Sequence, residues 1–179
     1  MTKILNLLMD FINKITVLIL VLGLGFKAFG QHDMHKLNNP MSVDYLMENL
    51  SKEQPRLVFT PSIIENVRKK IKTDLVVKNV YKAIKYNAKT ILKTPVLTRD
   101  VIGRRLLDTS QEMLWRVNML GCVYLIEKDT TILNRLDEEL KAVCNFKDWN
   151  PSHYLDVAEM SMAVALGLDW TLGDLPKTT

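Results

Sequence analysis

The sequence predicts an all-α fold in which an inner ring of helices is enclosed by an outer one, as in helical toroids and solenoids. Three observations predict it. Apolar residues recur at helical spacing from residue 61 onward, with no stretch alternating at period two and no short internal repeat. Segments 108–127 and 151–170 are apolar on more sides than one stripe requires, so each must be surrounded by other helices. The segments beside them, 61–72, 76–93 and 131–144, carry a single apolar stripe backed by charge.

Length and composition set the frame. With 179 residues, 47% hydrophobic and 25% charged, the chain has room for one domain or part of a larger one. It carries 24 basic and 20 acidic residues, and its pI is near 9.0. Without the first thirty residues, which hold Lys3, Lys14 and Lys27 against Asp10, 21 basic and 19 acidic residues remain. A net +2 is too weak to argue for a nucleic-acid partner.

The first thirty residues read as a secretory signal peptide. Lys3 and Lys14 precede an apolar run over 15–25, and Ala28 and Gly30 supply small residues before a cut after Gly30. An uncleaved anchor is the other reading, although the run falls short of the ~20 residues of a spanning helix. Either way the protein leaves the cytoplasm, and the membrane enters only through an uncleaved signal. In an exported chain Cys122 and Cys144 invite a disulfide. Placed on the two arms of a helical hairpin that turns near Asp129, they are offset by about 12 Å along the axis, beyond the ~7 Å Cα limit for a bridge. Two buried, unpaired thiols are expected.

The mature chain then runs as follows. Residues 31–51 form a polar leader in which His32 and His35 read as solvated tail residues and 43–50 as a short helix. Arg56 to Phe59 is an extended apolar segment. Thr60 and Pro61 open a helix, Thr as N-cap and Pro at the first position, with Arg68, Lys69, Lys70 and Lys72 toward solvent. A helix over 76–93 stops before Pro95, and a linker spans 94–103. The next helix reaches Glu127 from a cap near Asp108 or Thr109. In 131–144, Leu133, Leu136, Leu140 and Val143 form the stripe, with Arg135, Asp137 and Glu139 among the residues covering the other side. Asn150 is a good N-cap and Pro151 a good first residue for the last helix, which carries His153, Asp156 and Glu159 in its opening turns.

The segment from Phe146 to Met160, with Trp149, Asn150, Pro151, Ser152, His153, Tyr154, Leu155 and Asp156 at its centre, resembles the N-terminal helical domain of the heparinase II/III-like polysaccharide lyases. Pro55 to Thr60 and Arg105 to Asp108 extend the resemblance, which covers about residues 52–176. It implies a partial (α/α) toroid, an incomplete barrel of antiparallel helix hairpins, at 52–179. It also implies export to the periplasm of a Gram-negative bacterium and β-elimination on uronate-containing polysaccharides such as heparin or heparan sulfate. In that family a positively charged or hydrogen-bonding group neutralises the uronate carboxylate, and a Tyr or His removes the acidified C5 proton. Those residues come from later toroid helices and a β-sandwich that do not appear before Thr179. The resemblance therefore transfers no catalytic residue, no metal and no cofactor. The chain is expected to be an N-terminal fragment, inactive alone; the alternative is a non-catalytic helical module that binds glycan or another partner.

Spaced three apart, His153, Asp156 and Glu159 share an arc of one helix face. As a metal site the spacing is a weak signal. As the substrate-facing edge of a cleft, the group takes in Trp149, Asn150, His153, Tyr154, Asp156 and Glu159, with Trp149 and Tyr154 as sugar-stacking surfaces. As a buried network tied to Arg104, Arg105 or Arg116, it satisfies the rule that buried charges need partners, and this reading is favoured. Elsewhere, Gly121-Cys122 is no nucleophile elbow, and neither a phosphate loop nor a Cys-x-x-Cys pair occurs.

Overall fold

The computed structural model describes residues 42–171 and 173–176. Among them are six helices, no strand, and one isolated bridge between Ile102 and Arg105. The fold is all-α. The described residues fall into two units, the first ending at Leu50 and the second beginning at Ser51. In the first, helix α1 (Val43–Asn49) is capped by Ser42, whose Oγ accepts from the Tyr45 N–H at 3.2 Å. The expected signal peptide, His32 and His35 lie outside the described residues. No described helix is long and apolar enough to cross a membrane.

The second unit holds α2 (Pro61–Thr73), α3 (Leu75–Ile91), α4 (Leu107–Glu127), α5 (Thr130–Cys144) and α6 (Tyr154–Thr171). Local chemistry sets most of their ends. The Thr60 hydroxyl accepts from the Ile63 N–H, with Pro61 in the first turn of α2. Asp74 serves two helices: its N–H donates to Lys70 as α2 closes, and its carboxylate accepts from Val76 and Val77 as α3 opens. Lys128, at φ 56°, ends α4 in the left-handed conformation, and the Asp129 carboxylate caps α5 at Thr131 N–H, 2.8 Å away.

Helix α4 is the centre of the core. Its Met113, Val117 and Leu120 are wholly buried, against Leu136 and Val143 of α5 and Met160 and Ala163 of α6. Contacts between α4 and α6 advance together along both helices: Leu106 with Asp156, Gln111 with Glu159, Gly121 with Trp170, Tyr124 with Asp174. The two are therefore parallel neighbours. Helix α3 runs the other way against α4, with Tyr81 and Lys85 meeting Glu127 and Asn87 meeting Met119. Helix α5 returns antiparallel after the two-residue turn. Gly121 sets the closest approach, because a Cβ there would fall well inside contact distance of the Trp170 ring.

Five local expectations are corrected. Helix α6 begins at Tyr154, since Asn150 is not its N-cap; Asn150 sits at φ 58° in a turn whose carbonyl accepts from His153 N–H, leaving Pro151 outside the helix. Helix α4 begins at Leu107, with Asp108 and Thr109 already inside it and no side-chain cap of its own. The segment from Arg56 to Phe59 is not simply extended, because Val58 lies at φ 61° and the Phe59 N–H turns back to the Leu57 carbonyl at 2.6 Å. Arg135, Asp137 and Glu139 are buried; the chain at 94–97 folds over Arg135 and Glu139, and Asp137 pairs with Lys141. Both cysteines are free, but only Cys122 is buried; Cys144, at the end of α5, is exposed.

Candidate functional site

The opening turns of α6 lie beside the start of α4, and Asp156 joins them. Its carboxylate is fully buried. One oxygen accepts two hydrogen bonds from the Arg105 guanidinium, at 2.8 and 3.0 Å. The other accepts from the Leu106 N–H and the Asn150 amide, each at 2.7 Å. Burial by itself raises the pKa of this carboxyl, but the bonds from Arg105, Asn150 and Leu106 outweigh it and hold the value at about 2. Because Leu106 N–H is an orphan donor at the head of α4, a carboxylate from α6 does the capping that α4 lacks locally.

Asn150 extends this junction. Its amide also donates to the Arg104 carbonyl at 2.9 Å, so the turn before α6 is tied to the tight bend Gly103-Arg104 before α4. Gly103 takes φ 64° there, a conformation that favours glycine. His153 Nδ1 faces Ser152 Oγ at 3.0 Å and the Asn150 amide at 3.5 Å, and its Nε2 has no hydrogen bond among the described residues.

The six candidates therefore separate by depth. Asn150, His153 and Asp156 come together in one network, with Asp156 withdrawn from solvent and Arg105 as its ionic partner. Glu159 is not in that network; it is half-buried at the surface, with Gln111 of α4 at 3.3 Å. Tyr154 is 88% exposed. Trp149 turns the other way: its indole N–H donates to the Val143 carbonyl, and its ring lines a shallow, open groove of about 310 Å³ with Phe146, Val157 and Cys144. Of the three arginines expected to partner this cluster, only Arg105 does so by its side chain. Arg116 pairs instead with Glu112 and with the buried Glu139, which Arg135 also binds. Among the described residues no group of His, Cys, Asp and Glu could hold a metal ion.

Two features escaped the sequence reading. Asp169, at the far end of α6, accepts from the N–H groups of both Arg56 and Leu57 at 2.7 Å, and Trp170 Nε1 donates to the Leu57 carbonyl. The bend at Val58 is thus held by α6, and Phe59 packs edge-on to Trp170 at 5.2 Å. A run of exposed residues on α6, Leu155, Ala158, Met162 and Ala165, follows helical spacing, and Trp115 is exposed on α4. Between α4 and α6 the surface offers the Gln111–Glu159 pair, and His153 and the exposed Tyr154 lie at the start of α6; no nucleophile and base are assembled among these residues.

No protein-family model matches the chain, and no curated protein matches it.

Proposed function

We propose that this chain is the N-terminal helical part of an exported polysaccharide lyase, a partial (α/α) toroid whose inner helices are α4 and α6 and whose outer helices are α3 and α5. The observation that carries the proposal is the order of directions: α4 and α6 are parallel neighbours, and the oppositely directed α3 and α5 pack behind them. A toroid of helical hairpins requires that order. The resemblance at 146–160 supports it from the sequence side, since those residues form the junction that fixes the register of α6 against α4.

On this reading the exposed run on α6 continues the ring, and the mouth at Gln111, His153, Tyr154 and Glu159 is one edge of the polysaccharide cleft. Asp156, Asn150 and Arg105 act as positioning residues. The reaction breaks the C4–O bond of a uronate, forms the C4=C5 double bond as a base takes the C5 proton, and returns a proton to the leaving oxygen. This mouth supplies binding contacts for that step, and the base lies elsewhere.

The test is product formation. The protein expressed from this gene together with any open frame following codon 179 is incubated with heparin and with alginate. Ultraviolet-absorbing unsaturated uronate is expected from the extended protein and none from residues 31–179 alone. Cleavage without the chromophore, or no cleavage of any acidic polysaccharide by the extended protein, would sink the lyase reading.

A further inference from the structure

The chain's positive charge is not spread over its surface. Residues 61–93, which make α2 and α3, hold nine of the 24 basic residues and only two of the 20 acidic ones, Glu65 and Asp74. The rest of the chain, with 15 basic and 18 acidic residues, is net negative. Helix α3 orders this charge. Lys78, Lys82, Lys85 and Lys89 follow one another at intervals of three or four residues, so they share one side of the helix as neighbours about 5–6 Å apart, and Lys93 lies in the turn just after the helix ends at Ile91. From Lys78 to Lys89 the row runs about 16 Å along the helix. Lys85 is neutralised by Glu127, at 2.7 Å. Lys78, Lys82, Lys89 and Lys93 are exposed, and their ammonium groups have no ion-pair partner among the described residues. Lys69, Lys70 and Lys72 of α2, also exposed, add to the field in the same hairpin.

We propose that this lysine row is a docking surface for a linear acidic polysaccharide, lying on an outer helix and separate from the mouth at α4 and α6. The proposal rests on the lyase reading for the kind of polymer, and on charge complementarity for the place. A straight row of point charges matches a polymer that carries carboxylates or sulfates at intervals along its length. Helix α3 commits Tyr81, Ala88 and Ile91 to the core but leaves Leu75, Val76 and Val80 exposed at its start, so anionic vesicles are the competing partner that the experiment tests. Nucleic acid fits less well, since the row has no arginine and Tyr86 is the one exposed aromatic of α3. Such a surface holds a chain near the cleft between turnovers, raising its local concentration without taking part in chemistry.

The experiment measures binding of the whole chain to heparin across a salt series. Taking a slope of about −0.7 per neutralised charge, as for single strands, four lysines give a salt slope near −3 and about a 50-fold loss of affinity between 50 and 200 mM salt. The variant carrying Lys78→Gln, Lys82→Gln, Lys89→Gln and Lys93→Gln, with an unchanged helical circular dichroism spectrum, is expected to bind at least tenfold more weakly and to lose most of that slope. A control with Lys52→Gln and Lys147→Gln, both exposed and outside the hairpin, is expected to bind as the natural chain does. An equal loss in the control overturns the location. Tighter binding of duplex DNA, or of vesicles with anionic headgroups, overturns the class of partner. Heparin binding that depends on the row, while the protein extended past codon 179 cleaves no acidic polysaccharide, supports this inference while the lyase reading fails. Cleavage by the extended protein together with heparin binding that does not depend on the row overturns this inference alone.

Discussion

Asp156 shows how a residue can be legible as a buried, partnered carboxylate while only some of its partners are: Arg105 was among the arginines expected, but the Leu106 N–H and the Asn150 amide were not. Asp156 lies four residues from the buried Met160, and its carboxylate is buried and takes four hydrogen bonds. Replacing it by Ala leaves the Leu106 N–H and the Asn150 amide without their acceptor. Asp156→Ala is expected to cost about 2–4 kcal/mol, read by urea denaturation. The same group makes stability depend on acid. Its folded value, about 2, lies below the ~3.9 of an unfolded aspartate, so its contribution is complete above pH 4 and disappears as pH falls toward 2. A denaturation series over that window should show a steeper acid loss for the natural chain than for Asp156→Asn. Val58 is the opposite case: a β-branched, largely exposed residue held at φ 61° by contacts to its neighbours. Val58→Gly removes strain and little packing, and is expected to raise stability by about 1 kcal/mol, measured by thermal melting.

At the scale of the element, helix ends set by nearest neighbours were readable and helix ends set by distant ones were not. Thr60 and Pro61, and the stop before Pro95, act within a few residues of the boundary they define, so their meaning is local. Asn150 suits an N-cap and equally suits the left-handed region; the choice is made by Arg104 and Asp156, which the linear sequence does not place beside it. The start of α4 depends on a carboxylate fifty residues later, and the burial of Glu139 depends on Arg116 and the Leu97 N–H. No periodicity carries that information. The wide apolar surfaces of α4 and α6, by contrast, were legible because width of surface is a property of one helix alone. Their contact turns on Gly121. Gly121→Ala places a methyl against the Trp170 ring and is expected to destabilise by about 1–3 kcal/mol, seen as a lower melting temperature, with part of the loss recovered when Trp170→Leu is added.

For the whole molecule, the all-α class was settled by periodicity, while the function rests on how helices of different character are arranged. Helices α4 and α6 run together with Gln111 and Glu159 meeting between them, His153 and Tyr154 open α6, and the lysine row runs along α3. The candidate site was legible as a segment and not as a geometry. Residues 149–159 stood out as a segment, but their division into the buried Asp156, the groove-lining Trp149 and the exposed Tyr154 depends on tertiary neighbours. The central claim is that the mouth between α4 and α6 is the edge of a polysaccharide cleft. Hydroxyl-radical footprinting of the chain with and without heparin-derived oligosaccharide tests it most directly, on the variant lacking Lys78, Lys82, Lys89 and Lys93 so that the outer surface does not contribute. Protection of Tyr154 and His153, with Tyr86 unchanged, is the predicted result; oligosaccharide at saturating concentration that leaves Tyr154 and His153 as reactive as in the free protein would contradict it.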